Sequence, residues 1–174
     1  LKAADGTISV PGFYDDVLPL TDDVRAAIAR VPFDEAAYLA ESGAIATFGE
    51  PGYTTRERLW ARPTLDVNGL TSGWQGAGTK TVLPAEASAK ITCRLVAAQS
   101  PEKVFDLIRD HVQANCPAGV TVEVRRNPGR ADPFLLPSGH NGTAVASQVL
   151  EQVYGRGSFR ECCTVEMKAA CIAT

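Results

Sequence analysis

GAGTKTVLPAEASAKITCRLV, running from Gly76 to Val96, is the stretch on which the fold turns. Its second half alternates. Ala85, Ala87, Ala89, Ile91, Cys93 and Leu95 fall on one side, and Glu86, Ser88, Lys90, Thr92 and Arg94 on the other. A strict period of two marks a β-strand with one buried and one polar face. Ahead of it lies a polar loop carrying Gly73, Gly76 and Gly78 and closing at Pro84. Ahead of the loop, Thr64 to Leu70 reads as another strand, with Leu65 and Val67 on one face and Asp66 and Asn68 on the other. The loop's G-x-x-G-x-G spacing and the strand after it do not suit a phosphate-binding loop, which opens a helix, and spacing alone favours a hairpin connection.

Outward from this pair the pattern becomes helical. Ser100-Pro101-Glu102 supplies a cap, a proline at the first helical position and an acid, and Val104, Leu107, Ile108 and Val112 recur at helical spacing. Cys116-Pro117-Ala118-Gly119 ends that helix. Val120, Val122 and Val124 then alternate with polar residues and predict a third strand to Asn127. Before the strands, three short helices are expected: one capped by Thr21, one between Asp34 and Gly43, and one opened by Thr54 with Glu57 at capping-box spacing. A last helix covers Asn141 to Tyr154. The order strand, strand, helix, strand predicts an α+β fold, an antiparallel sheet with helices on one face. It is ferredoxin-like but incomplete, because a β-α-β-β-α-β unit has a strand and a helix ahead of these, where this chain has a helical insert. Three segments follow: a helical insert over 1–62, a sheet core over 63–130, and a linker, helix and atypical tail over 131–174.

With 174 residues and 45% apolar content the chain can build one sizeable core. A net charge of −3, with no basic cluster larger than Arg125-Arg126, argues against nucleic acid as a partner. No apolar run reaches membrane-spanning length. Five cysteines without a CxxC spacing suit a reduced, cytoplasmic chain. The opening LKAADGTISV reads as a helix tail entering a turn at Asp5-Gly6, so the chain is expected to begin inside a larger domain.

Few residues suggest chemistry of their own. His111 and His140 stand far apart, without carboxylates at ligand spacing, and are expected on a helix flank and near a helix start. There is no GxSxG elbow, and Cys162-Cys163 has no histidine nearby. Asp15-Asp16 reads as a solvated or capping pair.

The longer stretch PTLDVNGLTSGWQGAGTKTVLPAEASAKITCRLV resembles the lid, or dimerisation, domain of the zinc metallopeptidases that include carnosine dipeptidase, acetylornithine deacetylase and succinyl-diaminopimelate desuccinylase. The elements carrying the resemblance are the PTL-x-V-x-G strand, the KTV-[IL]-P loop, the RLV strand end and the S-P-E helix start. ISVPGFYDDVLPLT, with the insert behind it, is similar to the dipeptidase branch. The resemblance implies a homodimer or higher oligomer, and a dipeptide or N-acyl amino acid substrate with zinc in the intact enzyme. It implies no cofactor and no catalytic residue in this chain, which alone would hydrolyse nothing. It gives Arg94 the substrate's carboxylate, which a guanidinium grips through two parallel hydrogen bonds. It offers Thr81 across the dimer, and it brings Thr164 to the substrate. The family's H-x-D and Glu-Glu motifs are absent from the sequence. Where the family has R-E-G-G-[ST]-[IV]-P, this chain has Arg160-Glu161-Cys162-Cys163-Thr164-Val165-Glu166. A truncated piece of such an enzyme is the leading expectation, and a stand-alone dimerising module with no substrate is the alternative.

Overall fold

The computed structural model describes residues 1–136 and 139–155 and the backbone of 165–166. The first three helices start where their caps dictate: α1 Asp22–Arg30, α2 Glu35–Ser42 and α3 Thr55–Ala61. Thr21 Oγ1 accepts from the Val24 amide at 3.4 Å, and Asp34 Oδ1 from Ala37 at 3.0 Å. At α3 the capping box is complete: the Glu57 amide donates to Thr54 Oγ1 (3.3 Å) and the Thr54 amide to Glu57 Oε2 (2.7 Å). Gly43 closes α2 in the left-handed conformation that glycine adopts without a Cβ clash. Two ion pairs lock this layer, Arg25 to the buried Glu57 and Arg62 to Glu50.

β1 (Thr64–Ser72) and β2 (Ala87–Arg94) form the antiparallel hairpin. β2 is shorter at both ends than the alternation of 85–96 predicts, yet Leu95 and Val96 stay buried beyond it. Thr64 faces Arg94, Leu65 faces Cys93 and Val67 faces Ile91; the register then slips, and Leu70 faces Ala89. Asn68 is the extra residue of a β-bulge, which strict alternation does not anticipate. It brings Leu70 to the same face as Leu65 and Val67, although the spacing from Val67 is odd.

α4 (Pro101–Ala114), capped by Ser100, lays Val104 and Ile108 on that face. They join Ile8, Val10, Phe13, Leu65, Ile91, Cys93 and Leu95 in one core. Each large member contributes about 2 kcal/mol by leaving water. Gln99, buried after Ala98 at positive φ, donates to the Phe13 carbonyl (2.9 Å) and accepts from the Val96 amide (3.0 Å), tying residues 8–13 to the end of β2. The α+β class and the antiparallel pairing with helical cover match the sequence reading.

Two expectations are corrected. Residues 1–9 are not a helix tail. Lys2 bridges Ile8 in antiparallel fashion around a turn at Gly6 (φ 91°), where Asp5 Oδ1 accepts from the Thr7 amide at 2.9 Å. That backbone hydrogen bond holds the Asp5 carboxyl below its usual pKa. Residues 120–127 form no strand, and Val120 and Val122 are 58% and 39% exposed. Valine alternation supplies a β preference, but a strand also needs a neighbouring backbone. In β-α-β-β-α-β order the last strand lies beside the first, and no strand precedes β1 among the described residues. Beyond this segment, β3 (Phe134–Leu135) pairs with β4 (Val165–Glu166), and α5 (Asn141–Tyr154) leaves Val145, Val149, Leu150 and Val153 exposed.

Candidate functional site

Arg94 is the last residue of β2 and points to the polar face, opposite the buried Cys93 and Leu95. Its cross-strand neighbour is Thr64, and Asp66 is the diagonal one. That carboxylate is already engaged: Lys2 Nζ donates to Oδ1 at 3.3 Å and Thr64 Oγ1 to Oδ2 at 2.8 Å. Farther along the same face, the Thr92 hydroxyl donates to Asn68 Oδ1. Arg94 therefore presents an exposed guanidinium that no carboxylate among the described residues pairs with. Such a group can take up an external carboxylate without first breaking an ion pair.

Thr81 lies in the connection between the strands, where every residue from 73 to 86 is exposed. The loop has its own internal contacts. Trp74 Nε1 donates to the Ala77 carbonyl at 3.2 Å, and Lys80 Nζ sits 4.4 Å from the centre of the Trp74 ring. Gln75 Nε2 donates to the Ser72 carbonyl at 2.6 Å. Lys80, next to Thr81 in the chain, is thereby drawn to Trp74, two residues beyond the end of β1. Arg94 stands at the opposite end of the hairpin, seven residue steps or about 23 Å along β2. Thr81 thus belongs to the connection that joins the strands at one end of the hairpin, and Arg94 to the other end. Thr164 lies outside the described residues, as do Cys162 and Cys163.

The remaining candidates have local roles. His140 Nδ1 caps α5 by accepting from the Gly142 amide at 3.0 Å, and His111 lies in the last turn of α4. Asp16 pairs with Lys103 at 2.7 Å. Gly73, Gly76 and Gly78 belong to a hairpin connection, not to a helix start. Among the described residues no three His, Cys, Asp or Glu side chains converge as metal ligands, and no helix is long and apolar enough to cross a membrane. Sequence reasoning passed over Trp74. Its signal was a tryptophan two residues before a glycine, followed by small and polar residues as far as Thr81.

The chain is similar to several known proteins. Over 141 residues the chain is 31% identical to the Cys-Gly metallodipeptidase DUG1 of Candida albicans, covering 77% of this chain and 29% of that protein. It is 28% identical over 113 residues to the human Beta-Ala-His dipeptidase, covering 65% and 22%. The chain spans about a quarter of the length of the curated relatives it matches. Among solved structures, the M20 family metallo-carboxypeptidase Sso-CP2 from Sulfolobus solfataricus superposes with a TM-score of 0.75 at 31% identity, over 90% of this chain and 35% of that one. Human carnosine dipeptidase 1 shares the fold, with a TM-score of 0.73 at 24% identity over 90% and 34%. Residues 17–120 match the peptidase dimerisation domain of these enzymes, and the chain belongs to that family.

Proposed function

We propose that this chain serves as the lid and dimerisation domain of a zinc-dependent dipeptidase or N-acyl amino acid hydrolase, with Arg94 receiving the substrate's carboxylate and Thr81 reaching into the active site of a second copy. The observation that carries this reading is that Arg94 ends β2 at the open end of the hairpin while Thr81 lies in the connection at its closed end. Two groups so far apart do not serve one small substrate from a single chain, but they do so from two chains related by a twofold axis. The Arg94 guanidinium, unpaired among the described residues, and the internal contacts of the loop support it. In this reading the zinc would be held by a catalytic domain, to which 131–174 returns after the helical insert of 1–62 and the sheet core of 63–130. The setting expected for such an enzyme is the cytoplasm.

The test is intersubunit complementation. This chain is grafted in place of the corresponding domain of the Cys-Gly metallodipeptidase, and Thr81→Ala and Arg94→Ala are made separately. Each alone should abolish most of the turnover. Co-expressed in equal amounts, half of the dimers are mixed and each mixed dimer has one intact site, so activity should return to about a quarter of the unmutated level. No recovery on mixing would place both residues in the same site or in none. A graft that stays monomeric in sedimentation would favour a different role for the domain.

A further inference from the structure

We propose that Trp74 is the positioning residue for Thr81: its indole folds back over the loop and fixes the place from which Thr81 is presented. The inference rests on the reading of Thr81 given above and deepens it. Three independent observations converge on this one side chain. The indole N–H donates to the Ala77 carbonyl at 3.2 Å, closing residues 74–77 into a tight ring. The ring face carries the Lys80 ammonium at 4.4 Å, a cation–π contact that draws the far side of the loop onto the near side. The edge of the ring occupies the space where Gly76 has no side chain, and a Cβ there would come within 2.8 Å of Trp74 Cε2. Gly76 does not have a positive φ, so its backbone conformation is not what calls for glycine. What the position needs is the empty volume into which the indole packs.

The physical consequence is a drop in conformational freedom where it matters. A connection of 14 residues, 73–86, with no side chain buried in the core would sample many shapes. Presenting a hydroxyl to another subunit from such a loop would carry the cost of ordering it at each binding event. Trp74 orders residues 74–80 in advance, and Thr81 follows directly. The tryptophan remains about half exposed and lies outside the core, so its contribution is to the loop and not to global stability.

The experiment is 15N relaxation on the full chain, comparing the unmutated protein with Trp74→Leu, Trp74→Phe and Gly76→Ala. In the unmutated protein, amides 74–81 should show the order parameters of rigid backbone. In Trp74→Leu they should fall below about 0.6, with strands 64–72 and 87–94 unchanged. Trp74→Phe keeps a ring face for Lys80 but lacks the N–H, and it should restore part of the order. Gly76→Ala leaves the tryptophan in the sequence and pushes it out of its seat, so it should loosen the loop like Trp74→Leu. The Lys80 ε-methylene protons, shifted upfield by the ring in the unmutated chain, should return to ordinary positions in both Trp74→Leu and Gly76→Ala. A loop as mobile in the unmutated protein as in Trp74→Leu would overturn the proposal, and so would a loop that stays ordered without the indole. The role of Thr81 is judged separately, by turnover of the grafted enzyme. Loss of loop order with full turnover of the Trp74→Leu graft would overturn the positioning role, whereas full turnover of the Thr81→Ala graft would remove Thr81 from the reaction and leave Trp74 as the organiser of the loop alone.

Discussion

Arg62 grips Glu50 with two parallel hydrogen bonds, Nε to Oε2 at 2.8 Å and a terminal guanidinium nitrogen to Oε1 at 2.6 Å. The pair is largely withdrawn from water, and the guanidinium lies over Tyr53 at 4.4 Å and Tyr14 at 5.3 Å. Removing one partner would leave the other charge stranded between rings. Glu50→Ala is expected to cost about 3 kcal/mol in urea unfolding. Arg62→Lys keeps the charge but loses the planar fork and its stacking, and should also destabilise, though by less.

Arg94 behaves differently because nothing in the described fold depends on it. Arg94→Ala should change stability by no more than about 0.5 kcal/mol in thermal unfolding of this chain. A loss of several kcal/mol would identify Arg94 as a structural residue and take it out of the substrate site.

Ile108 and Val149 present the same sequence signal, an apolar residue on a helical stripe, in opposite surroundings. Ile108 is 2% exposed within the core, and Val149 is 50% exposed on α5. Ile108→Ala should cost about 3 kcal/mol through lost burial and the cavity it leaves. Val149→Ala should cost no more than about 0.5 kcal/mol. Paired denaturant titrations would read the difference directly.

Tyr14 accepts a hydrogen bond from the Ile8 amide at 3.0 Å and is half-buried against the core. Burial raises its pKa above the ordinary tyrosine value, and the Ile8 hydrogen bond opposes this only in part. The folded state therefore favours the neutral phenol. Its contribution is fully present below about pH 10, where the unfolded chain is also neutral, and is lost as pH rises through the higher folded pKa. The stability advantage of the unmutated chain over Tyr14→Phe should hold up to about pH 10 and shrink as the pH rises above it.

The local chemistry of this fold was legible in the sequence. Thr21, Asp34, Thr54 with Glu57, and Ser100 with Pro101 each name a helix start because capping is a short-range matter of one side chain and one amide. The faces of β2 were legible for the same reason. What depended on a distant partner was not. Residues 120–127 have the alternation of a strand and pair with no strand among the described residues, and no pattern within eight residues records whether a neighbour exists. The Asn68 bulge escaped notice because alternation assumes an unbroken register. Arg94 could be read as exposed from its parity alone, but its freedom from Asp66 came from Lys2, 64 residues away from Asp66 in the chain. Trp74 was visible as a residue and silent as a contact, since the geometry that joins it to Ala77 and Lys80 belongs to the folded loop.

Asn68 also sets a phase. The residue it inserts rotates everything beyond Val67, including Leu70, the loop and Trp74, relative to the stretch that ends at Arg94. The hairpin thus acts as a crankshaft whose two throws are set at a fixed angle, with the Thr92–Asn68 hydrogen bond as its key. Deleting Asn68 would leave both ends chemically intact and turn one against the other. Whoever transplants this hairpin into another scaffold must carry the bulge along, because it decides which way the loop faces when Arg94 is in place.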